Sequence, residues 1–518
     1  MQIDVGGDSI IGETPSSDAS APNIGDNPTH AASTINNSFV FVASAGSTAP
    51  GGIDEVSFFT PAVPAISGGG LGPVGNVPLP SGSQPVFLNS TQNAFMYVAN
   101  FGTNSISQIQ TSSEALVNTA PVGANPVAMA ELPDALKIYV ANQGDNSISD
   151  VNPADLTSTL VPGFTGVAPV WVIARGDSRK VYVLSQGDGQ LVTIDASTDA
   201  VTSSLPVGAG ANYFFYDTSL NRLYVTNPVS GKLYVFSVSG GANDTPALLA
   251  SISFGPGSAA CPSGCSPNAV TALSDGTRFY VASYQAANAC PDPVLGAAMA
   301  CIVPRLAVFN APDFTLKTTL TLLADPPFAV NPTTKQYQYA VPDSAACAQA
   351  VPPATYGPAS VRFRVFTTAA ADASRVYVSM CDAGAVAVVN TLDNNANNPT
   401  GNPMPADTLI TDLPAAASIC TQTNCNAATV TSFSIASNVV TFHAANSFTP
   451  GEQVLISGLA DPNTYLNNVY LTVLPTGLSG SQFECYFAHA NVGSTSAGGS
   501  TIATVELQQR PVFLLTGQ

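Results

Sequence analysis

One segment of this chain occurs twice almost unchanged, 42 residues apart. It is Tyr97-Val-Ala-Asn-Phe-Gly-Thr-Asn-Ser-Ile-Ser107 in the first copy and Tyr139-Val-Ala-Asn-Gln-Gly-Asp-Asn-Ser-Ile-Ser149 in the second. Weaker copies bring the aromatic anchor residues of the repeat to seven, namely Phe41, Tyr97, Tyr139, Tyr182, Tyr224, Tyr280 and Tyr377. The successive spacings are 56, 42, 43, 42, 56 and 97 residues, so the unit has about 42 residues with insertions. This is the length of a four-stranded blade, and the repeat therefore predicts a β-propeller.

A proline sets the phase of the repeat. It opens an apolar segment 12 or 13 residues before the anchor residue in five repeats, at Pro28, Pro85, Pro126, Pro169 and Pro267. Proline at the first residue of a strand removes no ladder hydrogen bond. For one blade we predict an innermost strand over 125–130, a second over 137–142, a third over 147–151 and an outer strand over 157–161. The Gly-Asp-Asn turn before the third strand supplies a positive φ, so its Asp is interpreted as a turn former rather than a calcium ligand.

The copy Tyr224-Val-Thr-Asn227 and the related segments resemble the YVTN family of β-propellers, of the bacterial secreted or surface type. The resemblance covers about residues 28–415 and implies an all-β, seven-bladed propeller, which we assign to residues 28–427. The long gap between Tyr280 and Tyr377 indicates a decorated sixth blade rather than an eighth blade. Propellers of this family serve as surface scaffolds, as binding modules and, in lactonase-like relatives, as hydrolases, so the resemblance implies a fold rather than one activity.

Two segments lie outside the propeller repeat. The N-terminal extension, residues 1–27, is polar and Gly-rich, and its segment Ile3–Ile11 is predicted as a β-strand that can be donated to a neighbouring subunit. Residues 428–503 contain hairpin-like runs without the repeat motif and are predicted as a small all-β domain. The apolar run Pro511–Thr516, within residues 504–518, is expected to return to the propeller as a closing strand. The small domain is then an insertion in the last blade.

Charged side chains make up only 9% of the chain, against about 25% in an average soluble protein. The 33 acidic and 14 basic residues give a net charge of -19, which repels phosphates and argues against a nucleic acid partner. No apolar run approaches the roughly 18 residues of a membrane helix, so we expect no membrane span. The first residues lack the features of a signal peptide, so one is absent or already removed from this numbering. The uncharged polar composition predicts a secreted or cell-surface protein, extracellular or periplasmic.

Nine cysteines support the same compartment. Metal sites need closely spaced cysteine pairs or nearby histidines, and the chain has only three histidines. We therefore predict structural disulfides, with the candidate pairs Cys261–Cys265, Cys290–Cys301, Cys347–Cys381 and Cys420–Cys425. The ninth cysteine, Cys485, lies in the alternating run Phe483–Phe487 and is predicted to be buried rather than nucleophilic, because no histidine stands near it in sequence.

Catalytic propellers carry their acids and metal ligands on the loops that lead into the innermost strands. None of the five such loops that can be located contains an acid, a base or a metal ligand; they are residues 80–84, 121–125, 163–168, 207–211 and 263–266. The candidate channel-rim contacts are therefore Asp26 and His30 in the first blade and Arg362 and Arg364 in the last. A histidine next to a strand-opening proline is also typical of a satisfied structural residue. Two arginines at alternate positions share one side of a strand, where they bind an anion or hydrogen-bond a neighbouring blade.

Composition argues against several propeller enzymes. Three histidines are too few for a multi-histidine copper cluster, and Trp171 alone cannot support tryptophan-derived quinone chemistry. The haem-attachment, GxSxG, HExxH and phosphate-loop motifs are absent, so we predict no cofactor. Two alternatives stay open: a metal-dependent, lactonase-like hydrolase at the channel mouth, and a carbohydrate-binding or polymer-binding module. The loop aromatics Phe164, Tyr284 and Tyr356 are too scattered in sequence to assign a binding platform to the latter.

The sequence favours a non-catalytic structural or interaction protein at the cell exterior. Long stretches lack the edge lysines that prevent edge-to-edge strand pairing. We expect the partner to be a second copy of the chain, or another surface protein or polymer. A head-to-tail contact between residues 1–27 and the inserted domain would build a filament. Residues 1–136 and 376–509 contain no Lys or Arg, so we assign assembly to them and expect trypsin to leave them uncut.

Overall fold

The computed structural model describes residues 2–4, 9–12, 28–48, 52–60, 72–239, 245–288, 301–322, 341–342, 347, 363–393, 405–414, 417–419, 427–448, 453–474, 476–508 and 513–516. Almost every regular element in these ranges is a β-strand, as predicted, and two short 3-10 helices lie at Gly46–Thr48 and Thr464–Leu466. No helix in the described part of the chain is long and apolar enough to cross a membrane.

Seven antiparallel sheets follow one another along the chain, and each pairs four strands in sequence order. This confirms the seven-bladed propeller. Blades 1 to 4 consist of Pro28–Ser33, Val40–Ala45, Asp54–Thr60 and Gly72–Pro78; Pro85–Asn89, Phe95–Asn100, Ser105–Gln110 and Ala115–Pro121; Pro126–Glu131, Ile138–Asn142, Ser147–Val151 and Ser158–Leu160; Pro169–Ala174, Lys180–Ser185, Gln190–Asp195 and Ala200–Pro206. Blades 5 to 7 consist of Tyr213–Asp217, Arg222–Asn227, Lys232–Ser237 and Ala247–Ser253; Ser266–Ala272, Arg278–Ala287, Cys301–Asn310 and Leu316–Thr321; Val365–Ala369, Arg375–Met380, Ala385–Asn390 and Thr408–Pro414.

Blade 6 is the decorated blade, because Val341–Pro342 pairs with its third strand as an additional short strand. The first strand of every blade is the innermost one, and the innermost strands of consecutive blades from 1 to 7 contact each other. The second strand carries the anchor residue, and all seven anchor side chains are at most 4% exposed. Outer strands are different: Ala200–Pro206 alternates between exposed and partly buried residues. The period-2 signal of a half-exposed strand is therefore confined to the rim of the propeller.

The Asn and Ser residues of the repeat fasten the turn between the second and third strands. In blade 3, Asn142 Nδ2 donates to Ser147 Oγ at 3.0 Å and to Ser149 Oγ at 2.9 Å. The equivalent Asn100 of blade 2 makes the same two bonds, at 3.1 and 2.8 Å. Both asparagines are fully buried. Because a buried amide needs hydrogen-bond partners, the asparagine and the two serines recur together in the sequence.

The loops that lead into the innermost strands of blades 3 and 4 are hydrogen-bonded to the turn of the preceding blade. The Asn125 backbone N–H donates to Asn104 Oδ1, and the Ala168 N–H donates to Asn146 Oδ1, both at 2.8 Å. Asn104 and Asn146 have φ values of 53° and 60°, as predicted for these turns. At Gly144 a Cβ atom would lie 2.3 Å from Asn125 Oδ1, so the glycine leaves room for the Asn125 side chain beneath the loop. The repeated sequence therefore encodes contacts within blades and between them.

The inserted domain is a separate sheet with its own apolar core. In spatial order its strands are Val469–Thr472, Gln453–Ser457, Val492–Gln508, Ala427–Ala436, Val439–His443 and Gln482–Tyr486. A further strand, Ala417–Ile419, pairs with the end of Val492–Gln508, so the chain leaves and re-enters the propeller side by side. Residues 504–508 belong to this sheet, and the return to the propeller is made by residues 513–516.

The prediction of one strand over Ile3–Ile11 in the N-terminal extension is wrong. Gln2–Asp4 and Ser9–Gly12 are two short strands that pair with each other. Gly6-Gly7 lies between them in the sequence, and consecutive glycines weaken a continuous strand.

Two of the predicted disulfides are present. Cys261 is bonded to Cys265, and Cys347 to Cys381. The pairs Cys290–Cys301 and Cys420–Cys425 stay predictions, because Cys290, Cys420 and Cys425 lie outside the described residues. Cys485 is free and fully buried, as predicted, and burial raises the pKa of its thiol. A thiol of this kind is inert rather than nucleophilic.

Candidate functional site in the central channel

One register position of the innermost strands faces the channel. In every blade the residue at this position of the innermost strand pairs with the same position of the second strand, two residues after the anchor residue. The seven residues are therefore structurally equivalent. From blade 1 to blade 7 they are His30, Phe87, Ala128, Trp171, Tyr213, Ala269 and Phe366. Five of these positions carry an aromatic ring or a histidine. In the five blades with a strand-opening proline this is the second residue after the proline, a signal that was present in the sequence and was missed.

The rings meet across the propeller axis. Phe87 of blade 2 contacts Trp171 of blade 4 with ring centroids 5.4 Å apart, and Tyr213 of blade 5 contacts Phe366 of blade 7 at 5.5 Å. Trp171 and Tyr213 are 5.0 Å apart and close to perpendicular. Each of the first two contacts passes over a blade whose residue at this position is alanine, Ala128 or Ala269. The small residues make room, and the large rings fill the channel with edge-to-face contacts.

His30 is part of this aromatic plug. Its ring stacks on Phe87 at 4.1 Å, and its Nδ1 accepts a hydrogen bond from the Leu88 backbone N–H at 3.2 Å. The side chain is 8% exposed. A histidine that is packed and bonded in this way joins blades 1 and 2, which matches the structural interpretation of this residue.

Residues 513–516 complete the plug. Phe513 lies 4.5 Å from the ring of His30 and 4.7 Å from that of Phe366, so it bridges blade 1 and blade 7. Leu514 packs against the apolar residues of blade 7, and the Thr516 and Thr368 hydroxyls are 3.2 Å apart. The segment returns to the propeller as expected, but it does so through side chains and is not a strand of a blade.

Arg364 forms a buried ion pair where blade 7 meets blade 6. Its Nε and Nη2 donate to the two carboxylate oxygens of Asp382 at 2.7 and 3.2 Å, and its guanidinium stands 5.3 Å from the centre of the Tyr284 ring. A bidentate pair of this kind fixes geometry strongly. Asp26 and Arg362, the other two candidate rim contacts, lie outside the described residues.

Two acidic side chains near the channel rim accept hydrogen bonds from backbone N–H groups. Asp54 accepts from the Gln84 N–H at 3.1 Å and Asp145 from the Ala124 N–H at 2.9 Å, and both of these N–H groups belong to the loops leading into innermost strands. Sequence reasoning searched those loops and missed the neighbouring turns, which contribute these acids. The Asp145 contact agrees with its interpretation as a turn former. The described residues contain no group of three or more His, Cys, Asp or Glu side chains placed to hold a metal ion.

A second charged region lies between blades 6 and 7, at the other end of their strands. Asp407 is 1% exposed and pairs with Arg278 at 2.6 Å and with Lys317 at 2.7 Å. It also accepts a hydrogen bond from the Tyr280 hydroxyl at 2.5 Å, and burial, followed by this bond, raises the tyrosine pKa. A shallow depression of about 340 Å³ opens beside these residues and is also lined by Asp275 and others of blades 6 and 7. Arg278 and Lys317, which line it, share the single carboxylate of Asp407 as their ion-pair partner.

The seam between blades 3 and 4 repeats this arrangement. Lys137 Nζ lies 2.7 Å from Asp199 and 3.0 Å from Asp150, and the Tyr139 hydroxyl donates to Asp199 at 2.5 Å. Burial lowers the Lys137 pKa, but the bonds to the two acids outweigh it and leave the pKa raised. Burial is also the main cause that raises the pKa of Asp150. Lys137, two positions before the anchor residue of blade 3, thus binds blade 4, as Arg278 of blade 6 binds blade 7.

Solved β-propeller structures match the chain at low identity. The Swd1 propeller domain of Myceliophteria thermophila is 10% identical with a TM-score of 0.42, covering 58% of this chain and 88% of that one. The periplasmic gluconolactonase PpgL of Pseudomonas aeruginosa is 15% identical with a TM-score of 0.43, covering 57% and 84%. Virginiamycin B lyase from Staphylococcus aureus is 12% identical with a TM-score of 0.42, covering 69% and 93%. No protein-family model and no curated protein matches the chain.

Proposed function

We propose that the chain is a non-catalytic scaffold or interaction protein of the YVTN-repeat type, secreted or held at the cell surface. The observation that carries this proposal is the aromatic plug. Loops and strands of a propeller converge on the central channel, where a ligand would find side chains from several blades. Here that position is occupied by packed rings, with Trp171 only 8% exposed.

The outer strands support a role in self-association. The outer strands of blades 2 to 5 contain no charged residue. Val117, Leu160 and Leu248 lie on these strands and are 53%, 61% and 57% exposed. Edge strands that stay monomeric usually carry lysine, proline or inward charges, and these lack the charges. We propose that a second copy of the chain is the main partner and that copies join into a filament through the N-terminal extension and the inserted domain.

The two disulfides support an oxidising compartment, extracellular or periplasmic. Disulfides also stabilise a folded chain outside the reducing cytosol. Reduction of the Cys347–Cys381 bond is expected to lower the free energy of unfolding, because that bond spans 34 residues of the chain.

The fluorescence of Trp171 tests the non-catalytic role. It is the single tryptophan of the chain and lies inside the plug, so its emission reports directly on anything that enters the channel. We expect no change in emission and no turnover when the protein is titrated with calcium and a panel of lactones. Lactone hydrolysis that disappears with a chelator would instead establish the metal-dependent hydrolase.

Assembly is tested by truncation. Light scattering and electron microscopy should show oligomers or filaments of the full chain and loss of them in a variant that begins at Asn27. Substitution of Leu248 by Lys, on an exposed outer strand, places the missing charge on one edge as a second probe. Monomeric behaviour of both the full chain and the truncated variant would rule out the filament.

A further inference from the structure

The contact between blade 7 and blade 1 is unlike the other contacts of the ring. The innermost strands of the consecutive blades from 1 to 7 touch directly. Between blades 7 and 1, residues 513–516 contact both sides, through Phe513 and His30 on one side and Phe513 and Phe366 on the other. The described apolar cluster on this flank of blade 7 consists of blade 7 residues, with Leu514 packed against it and no residue of blade 1.

The seam therefore has the form of a cleft with a peptide in it. Phe513 fills the place between His30 and Phe366, Leu514 covers the flank of blade 7, and Thr516 meets the Thr368 hydroxyl. Leu515 is 38% exposed and makes no described contribution to the apolar clusters. The cleft thus contacts three of the four consecutive side chains of the segment. These are an aromatic ring, a leucine and a hydroxyl group.

We propose that the cleft between blades 7 and 1 is a binding groove for an extended Phe-Leu-x-Thr segment, and that in the assembled protein the segment of a second copy occupies it. This inference rests on the self-association proposed above and names the element that is exchanged. The segment seated in the groove within one chain shows the chemistry of the ligand, an uncharged and mostly apolar peptide. Identical chains present identical grooves and identical segments, which is the requirement for domain swapping.

Two features of the chain suit exchange. Residues 513–516 are held by side chains and are not paired in any described sheet, so their release breaks no strand ladder. The segment follows the inserted domain, whose two connections run side by side where Ala417–Ile419 pairs with residues 506–508. Binding within one chain is favoured in dilute solution, because the tethered segment has a high effective concentration. Exchange is therefore expected to grow with protein concentration.

The groove is tested with a peptide. A variant that ends at Gln508 is incubated with a labelled peptide of residues 511–518, and binding is followed by fluorescence anisotropy and by Trp171 emission. We expect saturable binding, with affinity lowered at least about tenfold in peptides carrying Phe513→Ala or Leu514→Ala. A peptide carrying Leu515→Ala is the matched control and should bind like the parent. If the shortened variant does not fold, the full chain with Phe513→Ala takes its place as the receptor. Absence of binding in a folded receptor overturns the proposal.

Exchange between copies is tested on the full chain. We expect oligomers that increase with concentration in light scattering and that disappear with excess free peptide. Oligomers that resist the peptide but vanish when residues 1–26 are removed would leave the proposed scaffold function intact and overturn this inference. A full chain that is monomeric at all concentrations overturns both.

Discussion

Equivalent buried anchor tyrosines lie at the seam between blades 6 and 7 and at the seam between blades 2 and 3. The hydroxyl of the first donates a hydrogen bond, and the hydroxyl of the second accepts hydrogen bonds. At the first, the Tyr280 hydroxyl donates to Asp407, which two cations neutralise. At the second, the Tyr97 hydroxyl accepts from Gln92 and Gln108, both at 3.4 Å. The nearest carboxylate there is Glu131, which is 1% exposed and bonded to Gln92 and to Thr91.

At four of the seams the difference follows the residues at two positions. The first is the residue two before the anchor, and the second is the residue with positive φ that precedes the outer strand of the next blade. The pairs are Phe95 with Leu156, Lys137 with Asp199, Arg222 with Phe314, and Arg278 with Asp407. An apolar residue meets an apolar residue, and a cation meets a carboxylate or an aromatic ring.

Removal of the Asp407 carboxylate should have the largest effect on this comparison. Asp407→Ala leaves Arg278 and the Tyr280 hydroxyl buried without their partner, and breaking a buried pair on one side costs about 3–5 kcal/mol. The free energy of unfolding, measured by urea titration, gives the value. Lys317→Met is the control, since Lys317 is 42% exposed and should cost under about 1 kcal/mol. Equal losses in the two variants would mean that Asp407 does not organise the seam.

Converting one kind of seam into the other is the next strongest test. Leu156→Asp replaces a residue that is 1% exposed with a carboxylate facing an apolar cluster, and we expect a loss of about 2–4 kcal/mol. Adding Phe95→Lys rebuilds the pair seen between Lys137 and Asp199, and should recover about 1–3 kcal/mol in a double-mutant cycle. Additive losses would show that the two positions do not act as a pair.

Much of this fold could be predicted from the sequence because the repeat encodes local contacts. The asparagine and serines, the turn residues and the strand-opening prolines all act within one blade or on the next loop, so their spacing gave the strands and their order. The channel depends on one position per blade, where His30, Trp171 and Ala128 share no residue type. Their equivalence appears only when the strands are paired in register. The covarying seam residues were likewise hidden, because each pair joins positions about 60 to 130 residues apart, as Lys137 and Asp199 do.

Two carboxylates, Glu131 at the seam between blades 2 and 3 and Asp195 within blade 4, should respond to pH in opposite directions. Burial raises the pKa of Glu131, so its contribution to stability is fully present below the ordinary Glu pKa of 4.5 and is lost as the pH rises through the raised value. The stability of the wild type relative to Glu131→Gln should therefore fall as the pH rises above the ordinary Glu pKa.

Asp195 supplies the opposite case. Bonds from Ser197 and Lys180 lower the pKa of this carboxyl to about 2, so its contribution is present above the ordinary value of 3.8 and is lost as the pH falls towards 2. Relative to Asp195→Asn, the wild type should lose stability only in acid. The measurement is the free energy of unfolding of the wild type and of each variant, obtained by urea titration at a series of pH values. If the stability difference from the wild type changed with pH in the same direction for both variants, the assigned pKa shifts would be contradicted.

The seam between blades 5 and 6 lies between the two extremes and should show the smallest effect. There the Arg222 guanidinium stands 4.8 Å from the centre of the Phe314 ring, so a cation meets a neutral partner. Phe314→Leu keeps an apolar side chain but removes the ring face, and a cation–π contact contributes about 0.5–1 kcal/mol. Arg222→Met and the double variant complete a cycle whose coupling energy isolates this contact from the separate bond between Arg222 and the Ala311 carbonyl. A coupling energy near zero would mean that the ring serves only as apolar cover, as Leu156 does against Phe95 at the seam between blades 2 and 3.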